Sequence, residues 1–338
     1  MSGSGVPVDP GAGSPAQAAP WTRLWRSGVL HSCSTAMDGN YEGPVRAFWA
    51  AQFGRLANGS VMVDIGTGNG ALALLAVEAA RARGIGFDVH GVDLADITPG
   101  DAIEAGAGAF ADIRFHPRTS FTALPFADGG VDLLCSQFAF EYAPRDAAAA
   151  EALRVIGRRG GVAMVLHSTD SLIARTSAGR LPWFGHVLRD SPLLPAAAAM
   201  LEVLAGARTP AARAALAASP GAEAARKAFN DAAAALLARA AEPGAADVVE
   251  RSTRAISHAL RTAGADPDGA RGQLASLRQW LDDEEARLLQ LRASLLDDEA
   301  LAGLAGCFRT AGHDVACGEL AQRPDAKLGW TLEVAARG

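Results

Sequence analysis

Short apolar runs alternate with Ala- and Leu-rich stretches from Val61 onward. The runs read as strands at 61–65, 87–93, 112–116, 131–136 and 161–167, separated by helices at 69–83, near 99–109 and at 145–157. Near-continuous apolar strands between helices predict a parallel sheet covered on both faces. Ahead of them, Trp25, Leu30, Val45, Phe48, Trp49, Phe53 and Leu56 recur at mostly helical spacing, broken by the turn-prone Asp38-Gly39-Asn40. One or two helices are expected there. From 171 to 296 the alternation stops, and prolines at 182, 195, 210, 220, 243 and 267 mark the starts or breaks of four to six helices. The clearest is 271–295, with an apolar stripe from Leu274 to Leu295. The sheet pattern then resumes with a helix at 297–310 and strands near 313–319 and 328–335.

The chemistry concentrates at the first strand's end, Val63-Asp64-Ile65-Gly66-Thr67-Gly68-Asn69-Gly70. A glycine turn running into a helix N-terminus lets a ligand touch backbone, and its free N–H groups favour negative charge. Asp93 ends the second strand, where a carboxylate can accept hydrogen bonds from both hydroxyls of a ribose. Together these describe a nucleoside-cofactor site. Gly66, Gly68 and Ala71 also fit the dinucleotide fingerprint, so the glycines alone leave NAD open. Asp64 argues against it, because a pyrophosphate would meet a like charge there.

A second phrase decides the matter. Thr119-Ser120-Phe121-Thr122-Ala123-Leu124-Pro125-Phe126, followed by Asp128 and the strand to Ser136, resembles the motifs after the glycine loop in class I S-adenosylmethionine-dependent methyltransferases. The resemblance covers roughly residues 40–168 and, more weakly, 300–338. It implies a Rossmann-like α/β fold, a seven-stranded mostly parallel sheet with helices on both faces that closes on an antiparallel pair. The helical segment is then an insertion, or cap, after the fifth strand. The expected domains are a flexible tail at 1–20, a methyltransferase domain at 21–170 with 297–338, and a substrate-recognising cap at 171–296.

The resemblance also assigns a cofactor, S-adenosylmethionine, with S-adenosylhomocysteine as product. Asp64, Gly66, Thr67, Gly68 and Asn69 would line its methionine part, Asp93 would take the ribose, and Leu94 would touch the adenine. Ser120 and Phe121 occupy the adenine-edge position, with serine where members often carry aspartate. Ser136 and Gln137 would pass beneath the methionine, and Tyr41 would serve as a lid residue. A general base has candidates on two strand ends: His167 after the fifth strand, and Glu141 with Tyr142 after the fourth. Glu141 could instead pair with Arg145 at helix spacing.

Composition narrows the partners. A net charge of −6 gives no electrostatic reason to expect nucleic acid. The four cysteines form no C-x-x-C pair and the histidines share no spacing, so no metal site is expected, and a reducing, cytoplasmic setting follows. No segment reads as a signal peptide or a membrane span. The expected acceptor is an oxygen or nitrogen nucleophile of a small molecule or peptide, with specialised metabolism as the setting and a homodimer as one option for assembly. A nicotinamide-dependent oxidoreductase and a non-catalytic cofactor-binding or assembly protein are the alternatives.

Overall fold

The computed structural model describes residues 15–32, 39–103 and 107–336. It divides into two compact units, residues 1–174 with 293–338, and residues 175–292.

In the first unit, strand β1 (Val61–Ile65) runs into helix α3 (Ala71–Ala82) through the glycine turn. The alternation continues with β2 (Asp88–Val92), β3 (Ile113–His116), β4 (Leu133–Gln137), α5 (Arg145–Ile156) and β5 (Gly161–Leu166). After the insertion come α12 (Asp298–Thr310), β6 (Val315–Ala321) and β7 (Lys327–Val334). The seven strands lie in the order β3-β2-β1-β4-β5-β7-β6, with β1 to β5 parallel and β7 antiparallel to both neighbours. This is the Rossmann-like sheet expected from the sequence. β1 and β4 are central, so Met62, Val63 and Leu134 are wholly buried, which explains their unbroken apolar runs. Cys135 is buried with them as a small core residue.

The strand order reverses between β1 and β4, so the loops leaving those strands open a crevice where open α/β sheets bind ligands. The adjacent register of Gln137 with Val165 brings the residues just past β4 and β5 side by side.

Two helices precede the sheet: α1 (Pro15–Arg26) and α2 (Gly43–Phe53). The expected tail therefore needs correction. Residues 1–14 lie outside the described residues, but 15–20 are the opening turns of α1, with Ala18 only 7% exposed. Alanine is the strongest helix former and proline suits the first helical position, so small residues suffice once Trp25 anchors the helix. The turn at Asp38 is also outside the described residues, while Asn40 lies within them. The short helix expected near 99–109 is two pieces, α4 (Pro99–Ala102) and a turn at Ala107–Phe110, with 104–106 not described.

The second unit is helical: the body of α6 (Leu172–Gly185), then α7 (Leu193–Ala205), α8 (Pro210–Ala217), α9 (Pro220–Leu237), α10 (Ala246–Thr262) and α11 (Pro267–Ser294). It has its own core, in which Phe184, Val187, Leu193, Leu236, Val248 and Leu281 meet. The chain leaves the sheet and returns to it at one place. Ser168 and Leu296 form a parallel bridge, Leu296 N–H donates to the His167 carbonyl at 3.1 Å, and Thr169 N–H donates to the Leu296 carbonyl at 3.0 Å. Among the described residues no helix is long and apolar enough to cross a membrane.

Candidate functional site

The glycine turn is built by positive φ. Gly66, Gly68 and Gly70 have φ of 71°, 54° and 83°, values costly for any residue with a Cβ. Two of them are also closely approached. A Cβ on Gly66 would stand 2.1 Å from the Ala139 methyl, and one on Gly68 would stand 2.7 Å from the Trp25 ring. The expected residues converge on this turn. Thr67 Oγ1 donates to Asp64 Oδ2 at 2.7 Å, and Gly68 N–H donates to Asp93 Oδ2 at 2.8 Å. The other Asp93 oxygen accepts from Ala95 N–H at 2.8 Å. The acid ending β2 thus ties the loop after β1 to the loop after β2, and each of its oxygens keeps a lone pair for a ligand.

Helix α1 lies across the turn. Trp25 packs against Gly68, Ala95 and Ile97, and Asn69 Nδ2 donates to the carbonyls of Trp25 and Val29 at 2.8 and 2.7 Å. Thr22 Oγ1 accepts from Asp96 N–H, and Arg26 pairs with Asp96 at 2.7 Å. Trp21 stacks on Trp25 and presents its ring to Tyr142 edgewise. Sequence reasoning treated Trp25 as ordinary packing ahead of the sheet. The only signal was the four-residue spacing of the two tryptophans.

At the next strand ends, two candidate bases form one unit. Glu141 Oε1 accepts from His167 N–H at 2.7 Å and faces His167 Nδ1 at 2.6 Å. A carboxylate is acceptor-only, so the tautomer that fits is the one with the proton on Nδ1 and the lone pair on Nε2. The imidazole is held by stacking on Phe138 at 4.6 Å and by the edge of Tyr142 at 5.9 Å. Phe138 has φ of 56°, a strained value for a bulky residue, at the end of β4. The helix-spaced pairing of Glu141 with Arg145 does not form.

The other expected residues fall into place around these two groups. Ser136 Oγ bridges the Ile65 carbonyl and Phe140 N–H. Gln137 Oε1 accepts from the buried indole of Trp49 at 2.6 Å. Tyr41 is buried and stacked on His31, next to Asn40, whose Nδ2 donates to the Ala71 carbonyl at the start of α3. Phe121 touches Gly66, and Leu94 is half-buried beside Asp93. Ser120 is used locally: its hydroxyl meets Thr122 Oγ1 and accepts from Thr122 N–H.

Residues 62–161 match the profile of a family described as a methyltransferase domain. Residues 62–161 of the sheet unit are thus similar to a methyltransferase domain. An uncharacterised methyltransferase of Mycobacterium avium (strain 104) is 35% identical over 121 residues, 36% of this chain and 44% of that protein. Another, of Mycobacterium marinum (strain ATCC BAA-535 / M), is 34% identical over 126 residues, 37% of this chain and 45% of that protein. The chain thus spans less than half the length of these relatives. Among solved structures, geranyl diphosphate C-methyltransferase from Streptomyces coelicolor A3(2) is 16% identical, with a TM-score of 0.33 over 46% of this chain and 66% of that one. YcgJ of Bacillus subtilis is 18% identical, with a TM-score of 0.31 over 41% of this chain and 58% of that one.

Several buried polar groups of the sheet unit have atoms left over for a ligand. The unit's buried side-chain atoms without a partner among the described residues are Trp25 Nε1, His31 Nδ1, Asn69 Oδ1, Gln137 Nε2 and Glu141 Oε2. All five sit on the helices and loops at the carboxyl edge of the sheet. Their donor or acceptor character is fixed by what their other atoms do. Asn69 Nδ2 serves two carbonyls, so Oδ1 is the acceptor; Gln137 Oε1 serves an indole, so Nε2 is the donor. Burial lowers the His31 pKa, and its Nε2 bonds the Gly39 carbonyl, which leaves Nδ1 an acceptor. Such groups are costly unless a ligand satisfies them. A molecule with an ammonium, a carboxylate and ribose hydroxyls offers the needed complements.

Burial also perturbs the two acids of the turn. It raises Asp64 to about 7, opposed by the Thr67 hydroxyl and reinforced by the charge of Asp93. It raises Asp93 to about 6, opposed by the backbone N–H groups of Ala95, Gly68 and Leu94. Among the described residues no cluster of three His, Cys, Asp or Glu side chains is arranged to hold a metal ion.

Proposed function

We propose that this protein transfers a methyl group from S-adenosylmethionine to an oxygen or nitrogen nucleophile of a small molecule or peptide, with His167 as general base. The observation that carries the reading is the His167–Glu141 pair just past the ends of β5 and β4. In the cofactor seat, Asp93 would accept the ribose hydroxyls and Asn69 would face the methionine part. Leu94, Ser120 and Phe121 would border the adenine, Ser136 and Gln137 would underlie the methionine, and Tyr41 would close over it. Asp64 acts mainly by shaping the turn through Thr67.

When bound, the cofactor supplies an electrophilic methyl on a sulfonium, and the protein's task is to hold an acceptor in line with it. His167 Nε2 would take the proton of the acceptor O–H or N–H, with the bound cofactor supplying the methyl group. Glu141 keeps the imidazole in the required tautomer and stabilises the imidazolium that results. Phe138 and Tyr142 prevent the ring from turning away.

Calorimetric titration with S-adenosylmethionine, S-adenosylhomocysteine, NADH and NADPH tests the cofactor. Micromolar binding of the adenosyl compounds alone, lost in Asp93→Ala, supports the reading. Binding of the nicotinamides alone overturns it, and so does no binding at all.

A further inference from the structure

We propose that the indole N–H of Trp25, on the helix ahead of the sheet, is the neutral hydrogen-bond donor to the carboxylate of the bound cofactor. The inference rests on the cofactor reading above. Trp25 is 7% exposed and its Nε1 is buried without a partner among the described residues. The ring's orientation is fixed by its packing: Cε2, the carbon bonded to Nε1, lies 2.9 Å from where a Cβ on Gly68 would stand. The unsatisfied donor is therefore at the glycine turn itself.

A second feature of the same place favours an anion. Helix α3 starts at Ala71 with Gly70 at its N-cap, and its dipole attracts negative charge, with Asp64 accepting from the Ala73 amide of the first turn. Asp64 faces this terminus, but burial raises it to about 7, which makes it a poor resident anion near neutral pH. The neighbouring orphan, Asn69 Oδ1, is an acceptor. A donor on Trp25 and an acceptor on Asn69, in the turn that Trp25 packs against, match an amino-acid zwitterion, with carboxylate on Trp25 and ammonium towards Asn69.

Nothing cationic is needed for this. Indole is a donor only and stays neutral at all accessible pH values, so the contact gives direction without attracting phosphates. Asp96 holds the donor in place by pairing with Arg26, and its N–H donates to Thr22 on the same helix. Trp25 is thus a binding residue delivered from outside the stretch that matches the family profile.

Trp25→Phe removes the N–H together with part of the ring that packs on Gly68, so probes without a carboxylate are needed to separate the hydrogen bond from packing. Calorimetry would compare three probes on wild type and variant: S-adenosylhomocysteine, its decarboxylated analogue, and 5′-methylthioadenosine. A hydrogen bond to a charged group predicts a loss of roughly tenfold to a hundredfold for S-adenosylhomocysteine, and less than about twofold for the two probes lacking a carboxylate. Equal losses on all three would assign Trp25 to packing alone and overturn the inference, as would no loss on any. Wild type that binds S-adenosylhomocysteine as tightly as the variant sinks only this inference. Wild type that binds none of the three sinks the cofactor reading and this inference together.

Discussion

Glu141 grips His167 at two atoms of one residue, accepting the backbone N–H at 2.7 Å and facing Nδ1 at 2.6 Å. One carboxylate oxygen therefore sets both the position of the residue and the tautomer of its ring. Removing the ring should separate chemistry from binding. His167→Asn is expected to lower kcat by roughly 10²- to 10⁴-fold, the ordinary worth of a general base, while the Kd for S-adenosylhomocysteine moves less than about threefold. Single-turnover rates beside calorimetry decide it, and an unchanged rate would remove His167 from the chemistry.

Cofactor affinity should depend on pH through Asp93. Asp93 and Asp64 sit at about 6 and about 7 in the folded protein. The ribose hydroxyls favour ionised Asp93, so binding is weak below about 6 and rises through it. The Kd for S-adenosylhomocysteine should fall between pH 5.5 and 8. In Asp93→Asn the fall should be smaller and the affinity lower throughout. A flat profile in the wild type would mean that Asp93 does not face the ligand.

The same burial has a cost in stability. A carboxyl raised in the fold from 3.8 to about 7 contributes stability that is complete below pH 3.8 and lost as pH rises through 7. Ionised Asp64 is therefore a burden at pH 8, on the order of 2–4 kcal/mol. Asp64→Asn keeps an acceptor for the Thr67 hydroxyl and should melt at a higher temperature than wild type at pH 8. That advantage should shrink towards zero near pH 4.5. Melting curves across this range would expose the opposite trend at once.

Gly68→Ala tests the close approach of Trp25. The position has φ of 54°, and the added methyl would stand 2.7 Å from the ring. Strain and steric pressure together should cost about 1–3 kcal/mol and push α1 off the turn. Tryptophan fluorescence should report greater exposure, and S-adenosylhomocysteine should bind at least tenfold more weakly. Wild-type fluorescence and affinity in this variant would mean that α1 is not seated on the turn.

The sheet was legible because its signals are local. β1 occupies 61–65, where the apolar run placed it, and the last two runs are β6 and β7, whose antiparallel close the resemblance implied. The glycine turn and its two acids carried their chemistry in their spacing. The Glu141–His167 pair was only half visible: both residues stood out, but they are 26 positions apart. Only the β4–β5 register makes them neighbours. Helix α1 was missed in part because residues 15–20 have no apolar stripe to announce a buried face. What buries Ala18 and Trp25 is a non-local surface, the turn and the loop after β2, and no periodicity reports that.

The bridge between Ser168 and Leu296 gives the inserted segment a narrow doorway. Its two ends are hydrogen-bonded neighbours before a single helix is built, so the entropy of closing that long loop is met by the sheet domain alone. Residues between them could be lengthened, shortened or exchanged without either flank having to travel. The chain is therefore organised as a fixed sheet unit with one replaceable insertion. The insertion's return strand hydrogen-bonds to the backbone of His167 itself.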